Sequence, residues 1–258
     1  VQNVDYQELK ARLEKNGQLL EWLSERGVEA YRTGQILRWI YKRQVDSFDQ
    51  MTDLAKTFRA ILPENARISR FSDPLTEVSE DGSIKFGFKL DDGQIVESVN
   101  IPEPDRNTLC ISSQVGCAME CRFCQTGIMG FRRNLSPAEM VNQVCGVRDY
   151  LNEPSRNNQD TSQAITNLVF MGMGEPLNKM DNLLTTISIL TDQKGLDMAS
   201  RRITVSTCGI VPKMHLLGEL TNVNLAVSLH AVDNQTRDKL MPVNRRYPIE
   251  QLLQACKD

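Results

Sequence analysis

The sequence lacks a long hydrophobic run: no stretch of its 258 residues approaches the roughly 20 apolar residues that a membrane-spanning helix needs. It also lacks the basic and then apolar N-terminal segment that marks a secreted protein. Internal repeats and low-complexity tracts are absent, and a composition of 40% hydrophobic and 24% charged residues excludes a disordered, collagenous or coiled-coil protein. We therefore expect a globular protein that works in the cytoplasm without membrane contact.

Histidine is scarce, and neither sign of charge predominates. The two histidines, His215 and His230, have no zinc-finger spacing to the cysteine cluster described below. The formal net charge of -3 gives no overall attraction to nucleic acid, so an RNA contact would need a local basic face. Cysteine occurs seven times, and three cysteines fall between residues 117 and 124. This odd number and this crowding predict reduced thiols or metal ligands rather than a disulfide framework.

The spacing of apolar residues divides the chain into three predicted regions. Residues 1–63 have the helical spacing of a small accessory domain, and Pro63 should end its last helix. The expected helices are Tyr6–Lys15, Leu19–Arg26, Thr33–Arg43 and Met51–Leu62. Residues 64–103 alternate apolar and polar positions on both sides of Asp91-Asp92-Gly93, which predicts a β-hairpin connector.

The third region, residues 104–258, alternates short β-type runs with helical segments. The expected strands are Thr108–Ser112, Ala164–Met171, Arg202–Ser206 and Asn224–Leu229. Helices should begin at the Ser136 capping box, near Asn182 and near Pro212. This order predicts an α/β fold with a parallel sheet or barrel and right-handed crossovers. Because a closed barrel of this type needs about eight such units, we expect a partial barrel.

Three cysteines with the spacing CxxxCxxC follow the first predicted strand of this region: Cys117, Cys121 and Cys124. Three thiolates on a [4Fe-4S] cluster leave one iron open for an outside ligand. Structural zinc normally closes its shell with a fourth Cys or His instead. Since Cys110 could be such a fourth ligand, a zinc site or a closed cluster stays an alternative.

This spacing resembles that of the radical S-adenosylmethionine (SAM) superfamily, in which the open iron chelates the methionine part of SAM. The segment Gly172-Met-Gly-Glu-Pro176, after the second predicted strand, is similar to the acidic glycine loop with which that superfamily holds the ammonium group of SAM. An ordinary strand-to-helix turn is the alternative for this segment, and Ser206 and His230 taken singly fit turn or capping positions. Active sites of βα barrels lie at the carboxyl ends of the strands, so we expect the residues that follow these strands to meet there.

Further motifs narrow the resemblance. They are Val96-Glu-Ser98, Ile101–Cys117, Gly130-Phe-Arg-Arg-Asn-Leu135, Met171–Leu177, Val205-Ser-Thr-Cys-Gly209 and Ser228-Leu-His230. Together they resemble the bacterial dual-specificity RNA adenine C2-methyltransferases, over almost the whole chain. Those enzymes methylate one adenine of 23S rRNA and one in the anticodon loop of certain tRNAs. A relative that confers antibiotic resistance by methylating C8 of the same ribosomal adenine is one alternative, and a non-catalytic iron–sulfur or zinc RNA-binding module is another.

The resemblance implies a role for each site residue. Cys117, Cys121 and Cys124 would hold a [4Fe-4S] cluster, and SAM would lie among Gly174, Glu175, Ser206, Ser228, Leu229 and His230. In the family, a methylated cysteine on a C-terminal tail delivers the methyl carbon, and a covalent protein–RNA adduct is then resolved. Glu97 would be the proton acceptor and Cys110 the resolving thiol in that step. The implied partners are 23S rRNA, tRNA and an electron donor such as flavodoxin or ferredoxin.

Strand periodicity bears on two of these residues. Glu97 shares its strand face with Ile95 and Val99, so we expect its carboxylate on an apolar face with a raised pKa. The alternative is a glutamate at the end of a hairpin that faces water. Cys110 lies in an apolar strand, where an inert buried thiol is the default interpretation.

Three arginine pairs are candidate phosphate contacts: Arg132-Arg133, Arg201-Arg202 and Arg245-Arg246. Each pair is more simply a solvated surface, and Arg201-Arg202 opens a strand and so belongs to the opposite end of the sheet. The resemblance also implies later strands and a tail with the methyl-carrying cysteine, which have no counterpart here. Cys256 does not match that cysteine, because it lies in the amphipathic run Ile249–Lys257. We therefore expect the chain to be a fragment of the enzyme.

Overall fold

The computed structural model describes residues 17–71, 73–153 and 164–258, and the predicted helix Tyr6–Lys15 lies outside them. The chain divides into two compact units. The first unit contains residues up to Arg70 together with Leu184–Met198, and the second contains Phe71–Leu183 and Ala199–Asp258. The boundaries predicted at residues 63 and 103 stay predictions. Within the described ranges, no helix is long and apolar enough to cross a membrane.

The first unit is built around helices. They are α1 (Gly17–Glu25), α2 (Tyr31–Leu37), which continues as a π-helical turn over Arg38–Lys42, and α3 (Lys56–Asn65). Their apolar faces meet in a core that includes the buried side chains of Leu23, Ile36 and Met51. The indole nitrogen of Trp39 donates a hydrogen bond to a carboxylate oxygen of Asp53 at 2.5 Å. The apolar side chains of the predicted helices are buried in this core, and the polar indole nitrogen of Trp39 is paired with Asp53.

The prediction that Pro63 ends the last helix is wrong. Helix α3 continues through Pro63 to Asn65, and it begins at Lys56 rather than at Met51. Proline removes one hydrogen-bond donor and crowds the carbonyl four residues earlier, but only two helical residues follow it here. Because Pro63 falls in the last turn, its disturbance is confined to the end of the helix.

The second unit contains a seven-stranded mixed sheet and a two-stranded ribbon. The strands are β1 (Leu75–Val78), β2 (Ile84–Lys89), β3 (Ile95–Glu103), β4 (Arg106–Cys110), β5 (Gln114–Val115), β6 (Arg133–Asn134), β7 (Asn167–Phe170), β8 (Ile203–Thr207) and β9 (Asn224–Val227). The sheet order is β1-β2-β3-β4-β7-β8-β9, and β5 pairs with β6. Strands β4, β7, β8 and β9 run parallel to their neighbours in that order, which confirms the predicted α/β arrangement of sequential βα units.

The predicted hairpin is present as β2 and β3, but it is not a connector that leads to the sheet. Strand β3 pairs antiparallel with β4, for example Val99 with Cys110, so the hairpin extends the same sheet. Only Pro104 and Asp105 separate these strands, and so short a turn makes consecutive strands antiparallel neighbours. Strand β1, which the sequence analysis did not predict, adds the outer edge.

Helices follow the strands of the parallel part. They are α4 (Gln125–Ile128), α5 (Pro137–Leu151), α6 (Met180–Thr191), α7 (Val211–Leu220), α8 (Asn234–Leu240) and α9 (Ile249–Ala255). The predicted capping box opens α5: the Ser136 hydroxyl accepts from the Glu139 N–H, and the Glu139 carboxylate accepts from the Ser136 N–H. The short α4 directly follows the third cysteine of the CxxxCxxC motif.

The two faces of the sheet differ in burial. Phe86, Val96, Leu109, Phe170 and Val205 are buried on one face, which we call the covered face. Helix α5 packs on it, since Tyr150 meets the ring of Phe86 edge-on at 5.0 Å between ring centroids. The other face, which we call the open face, is half-buried or exposed and includes Glu97, Val99, Cys110, Val169, Thr204 and Ser206. Paired residues on adjacent strands point to the same side, which assigns each residue to its face.

Candidate cluster and cofactor site

The CxxxCxxC cysteines lie on the loop between β5 and α4, at the carboxyl end of the parallel strands. Cys117 and Cys121 are buried, and Cys124 is half-buried. Gly116 holds the start of this loop with a φ of +73°, and a Cβ there would overlap the carbonyl oxygen of Gly130. Only glycine tolerates both the left-handed backbone and this close approach, so the residue before the first cysteine is fixed by sterics.

A cavity of about 270 Å³ brings the predicted site residues together. All three cysteines of the motif line it, together with Gly174, Glu175, Ser206 and Ser228. Leu229 and His230 follow Ser228 directly at the rim, and the His230 ring lies 4.3 Å from that of Phe123, which also lines the cavity. Residues that follow the four strands therefore meet at one place, as predicted. Their individual roles stay predictions.

The glycine loop after β7 is held by Gln114. The Gln114 side-chain oxygen accepts a hydrogen bond from the Glu175 N–H at 2.8 Å, and its amide nitrogen donates to Asn134 Oδ1 at 2.8 Å. Gly174 has a φ of +100°, and a Cβ there would collide with the Gln114 side chain. The loop backbone therefore lies against β5, and Gly174 and Glu175 line the same cavity as the cysteines.

Glu175 is 4% exposed, and its carboxylate is held by backbone groups of this chain. One oxygen accepts from the Cys208 N–H at 2.8 Å and the other from the Leu177 N–H at 3.1 Å. Burial raises the pKa of Glu175, and these two donors partly oppose the rise. Glu175 thus cross-links the ends of β7 and β8, a structural function that the sequence analysis did not foresee.

Two thiols of the motif have raised pKa values in the absence of iron. Burial raises the pKa of Cys117, and it raises the pKa of Cys121 to about 11, with the neighbouring thiols adding to the rise. Within the described ranges no three His, Cys, Asp or Glu side chains are arranged around a single metal ion. A [4Fe-4S] cluster differs from such a site because each thiolate bonds to a different iron. Three soft donors that line one cavity, with polar strand ends opposite, fit that cluster with one open iron.

Cys208, which is not among the predicted site residues, also lines the cavity. It packs against Cys121 and Met241, and burial raises its pKa far above that of an ordinary thiol. Its carbonyl oxygen accepts a hydrogen bond from Arg237 at 2.7 Å. All seven cysteines of the chain fall within the described ranges, and each is a free thiol.

Arg237 is the largest side chain buried at this end of the sheet, with 0% exposure. Its guanidinium donates to three backbone carbonyls and one amide: Cys208 O at 2.7 Å, Leu229 O at 3.0 Å, Ser228 O at 3.2 Å and Asn244 Oδ1 at 2.8 Å. The sequence pattern does not indicate this burial, because Arg237 lies in the polar helix α8, which favours a solvent-exposed arginine. Only the fold brings the carboxyl ends of β8 and β9 to it.

Glu97 and Cys110 lie on the open face and do not line the cavity. The prediction of an apolar surrounding for Glu97 is wrong: its side chain is 52% exposed and lies 3.4 Å from the ammonium group of Lys85. The packed face is the one with Ser98, whose hydroxyl donates to the side-chain oxygen of the buried Gln143 at 2.8 Å. This hydrogen bond allows the polar side chain of Ser98 to be buried. An assignment that treated only apolar residues as buried therefore chose the wrong face of β3 as the packed one.

Cys110 is half-buried, and burial raises the pKa of its thiol to about 11, while the nearby backbone N–H of Met171 opposes the rise. It is therefore a protonated thiol at neutral pH, and it lies beside a residue that lines the cavity, Met171. The predictions of a resolving thiol and of an inert one both stay open on this geometry.

A buried polar network connects the Glu97 strand with the glycine loop. The Ser112 hydroxyl donates to the Glu97 carbonyl oxygen and accepts from the Met173 N–H at 2.8 Å. Gln143 accepts from the Ser112 N–H and donates to the Ser112 carbonyl. Helix α5 thereby fixes both β3 and the loop after β7, so Glu97 has a rigid backbone although its side chain is exposed.

The arginine pairs differ in their surroundings. Arg133 lies between Asp92, at 2.6 Å, and Glu139, at 2.8 Å, and both carboxylates raise its pKa. Arg133 is therefore ion-paired within the protein, whereas Arg132 is exposed. Arg201 and Arg202 precede β8, which puts them at the end of the sheet away from the cysteines, as predicted. Arg245 and Arg246 are exposed after α8.

Comparison with known proteins agrees with this geometry. The family model for the ribosomal RNA large subunit methyltransferase N-terminal domain matches residues 8–68, and that for the Radical SAM superfamily matches residues 111–258. The crystal structure of a radical SAM methyltransferase from Sphaerobacter thermophilus has a TM-score of 0.82 and 42% identity, over 93% of this chain and 69% of that one.

Curated relatives are more similar still in sequence. The dual-specificity RNA methyltransferase RlmN of Desulfotalea psychrophila is 61% identical over 241 residues, which are 93% of this chain and 66% of that protein. The protein of the same name from Geobacter sulfurreducens is 51% identical over 240 residues, 93% of this chain and 63% of that protein. The chain thus spans just under two thirds of the length of these relatives. It belongs to the radical SAM superfamily and, within it, to the RlmN family of dual-specificity RNA methyltransferases.

Proposed function

We propose that this chain is the cluster- and SAM-binding part of an enzyme that methylates C2 of an adenine in 23S rRNA and in tRNA anticodon loops. The observation that supports this most directly is the cavity in which three cysteines lie opposite Gly174, Ser206 and Ser228. Three thiolates leave one iron for an outside ligand, and the strand ends offer hydroxyl and peptide groups to that ligand. The names of the relatives support RNA as the substrate class.

The family resemblance and the positions of the residues support the following roles. Cys117, Cys121 and Cys124 would each bond one iron, and the reduced cluster, when bound, would supply the electron that cleaves SAM. Gly174 and Glu175 in the loop after β7, Ser206 at the end of β8, and Ser228, Leu229 and His230 after β9 would orient SAM. Water is limited there because Met119, Phe170 and Met241 contribute apolar walls to the same cavity.

Glu97 and Cys110 would act on the RNA rather than on SAM. Glu97 would remove the ring proton of the adenine, and its exposed carboxylate beside Lys85 is accessible to a large substrate. The Cys110 thiol would attack the methyl-bearing sulfur to release the product. Both lie on the open face: Cys110 pairs with Val99, and Val99 is two residues from Glu97 on β3. One substrate can therefore reach both side chains.

The proposal also includes partners and location. The one-electron reduction requires a donor such as flavodoxin or ferredoxin, and 23S rRNA and tRNA are the proposed substrates. Exposed Arg132, Arg245 and Arg246 are the remaining candidates for phosphate contacts, since Arg133 is paired. A cytoplasmic setting agrees with seven free thiols and with RNA substrates.

The test is a reconstitution of the intact gene product under anaerobic conditions. We expect about four irons per chain, consistent with a cluster held by three thiolates. With SAM, reductant and RNA we expect 5'-deoxyadenosine and 2-methyladenine. The exposed Cys256 gives a matched control: Cys256→Ala should keep the iron content, and Cys124→Ala should lose it.

The two alternatives predict different products. Methylation at C8 instead of C2 would identify the protein as the resistance-type relative. A protein that binds zinc or a closed cluster, and forms no 5'-deoxyadenosine, would be a non-catalytic RNA-binding module. Mass spectrometry of the modified nucleoside and of the cleaved cofactor distinguishes all three outcomes.

A further inference from the structure

We propose that Arg237 is a positioning residue of this site: it clamps the carboxyl ends of β8 and β9 together and supplies a buried positive charge that offsets the negative charge of the thiolate-bound cluster. The inference rests on the proposed cluster site. It adds a residue outside the cysteine motif and the SAM-binding set.

The clamp is visible in the hydrogen bonds. One guanidinium nitrogen donates both to the Cys208 carbonyl, just after β8, and to the Ser228 carbonyl, just after β9, at 2.7 and 3.2 Å. The Nε atom donates to the next carbonyl, that of Leu229, at 3.0 Å. Ser228 and Leu229 belong to the predicted SAM-binding set, so their backbone is held by the arginine and not by the sheet alone. A planar guanidinium with five donors is the one side chain that reaches these acceptors together.

The charge of Arg237 is not balanced by a carboxylate. All of its hydrogen-bond partners are neutral, namely three carbonyls and the side-chain amide oxygen of Asn244. Within the described ranges no carboxylate oxygen lies within salt-bridge distance of its guanidinium, and the nearby Asp238 is instead hydrogen-bonded to the amide of Asn244. A fully buried cation without a counterion is costly in a protein, which calls for a compensating negative charge nearby.

The cysteine loop lies close to Arg237 and could carry that charge. Cys208, whose carbonyl binds Arg237, packs against Cys121, a predicted iron ligand. The Leu240 carbonyl, at the end of the arginine's own helix, accepts from the Arg122 N–H at 2.9 Å, which fixes the cysteine loop to α8. A [4Fe-4S] core bound by three thiolates is a net anion that becomes more negative on reduction, so a nearby fixed cation favours the reduced state.

Three variants of the intact gene product separate the clamp from the charge. Arg237→Gln removes both, and we expect a more negative reduction potential and SAM binding weakened by about tenfold or more. Arg237→Lys keeps the positive charge but lacks the branched guanidinium that binds several carbonyls. The reduction potential of its cluster should therefore stay near that of the wild type, while SAM binding weakens. Lys239→Gln removes an exposed charge from the same helix and should change neither quantity. Potentials are measured by EPR-monitored titration of cluster-loaded protein, and SAM affinity by equilibrium binding.

A charge-conserving swap covers the case in which Arg237→Gln does not fold. The double substitution Asp238→Asn/Asn244→Asp moves a carboxylate onto the guanidinium without changing the net charge, since the Asn244 side chain already bridges Arg237 and Asp238 at 2.8 and 2.7 Å. We expect a more negative potential than in the wild type, which has the same net charge but no carboxylate on the guanidinium.

The possible results have separate meanings. An unchanged potential in cluster-loaded Arg237→Gln, or in the swap, overturns the charge function. Unchanged SAM affinity in Arg237→Lys overturns the clamp. Failure of the wild-type protein to take up a cluster at all would instead overturn the proposed function.

Discussion

The covered and open faces of the sheet are formed by alternate residues of the same strands, yet they differ in what their residues do. On β7, Phe170 is 1% exposed on the covered face, and its neighbour Val169 is half-buried on the open face. On β4, Leu109 is fully buried and Cys110 is not. The covered face contributes burial of apolar area under α5, and the open face presents Glu97, Cys110 and Ser206.

This difference shows how a sheet can separate stability from chemistry within one strand. Side chains of a strand alternate between its two faces, so each strand supplies one row to the core and another row to the site. Even the polar residues of the covered face serve packing, because Ser98 is paired with the buried Gln143. A substitution on one face should therefore change stability, and a substitution on the other should change reactivity.

The largest expected effect tests the chemical side of this separation. Cys121→Ala in the intact gene product should abolish cluster uptake and methylation, because this cysteine is proposed to supply one of three protein bonds to iron. Thermal stability of the iron-free protein should change little, since only one small thiol group at the cavity wall is lost. Iron analysis, a methylation assay and a melting curve measure the three quantities. A cluster that forms normally in this variant would contradict the ligand assignment.

A large but later effect is expected at Cys110. Cys110→Ala should leave cluster and SAM cleavage intact but stop resolution, so that a covalent protein–RNA species accumulates on denaturing gels. Glu97→Gln should stop at the same stage. Free methylated RNA without an adduct in both variants would argue for the inert-thiol interpretation of Cys110.

The pH dependence of the same step follows from the raised pKa of the Cys110 thiol, about 11. Below that pKa the thiolate fraction rises about tenfold per pH unit, so the rate of adduct resolution should rise with pH from neutral toward 9. Single-turnover assays of isolated adduct at several pH values measure this slope. A flat profile would mean that another group accepts the thiol proton.

An intermediate effect, on stability instead of activity, is expected on the covered face. Leu168→Ala should lower the free energy of unfolding by about 2–5 kcal/mol, because Leu168 is fully buried on the covered face and its truncation leaves a cavity. Val169→Ala is the matched control on the open face of the same strand, and it should cost much less. Urea unfolding of both variants makes the comparison. Equal losses would show that the open face is packed as tightly as the covered one.

The smallest expected effect concerns the start of α5, the helix that packs on the covered face. Ser136→Ala removes the hydroxyl that accepts from the Glu139 N–H, and it should cost about 1 kcal/mol. Cluster content and SAM binding should not change, since Ser136 lies outside the cavity. Ser136→Asp, which keeps an N-cap acceptor, should restore most of the lost stability.

Local patterns in the sequence determined much of this protein. The CxxxCxxC spacing, the capping box at Ser136, the turn at Asp92-Gly93 and the strand–helix alternation act between residues that are close along the chain. Each of these signals was visible without a structure, because spacing within a few residues sets which side chains share a loop, a helix turn or a strand face. The family resemblance then indicated a [4Fe-4S] cluster as the group that the three cysteines would bind.

Only the tertiary structure decided the rest. The Glu175 carboxylate meets the Cys208 N–H across 33 residues, and Arg237 meets Cys208 across 29 residues. The face of Glu97 depends on Gln143, 45 residues from the Ser98 that it satisfies. Such contacts are set by which strand ends and helices become neighbours, and a buried polar group is stable only where that neighbour satisfies it. For this reason the sequence located the proposed iron ligands, while the groups that hold their surroundings in place emerged only from the fold.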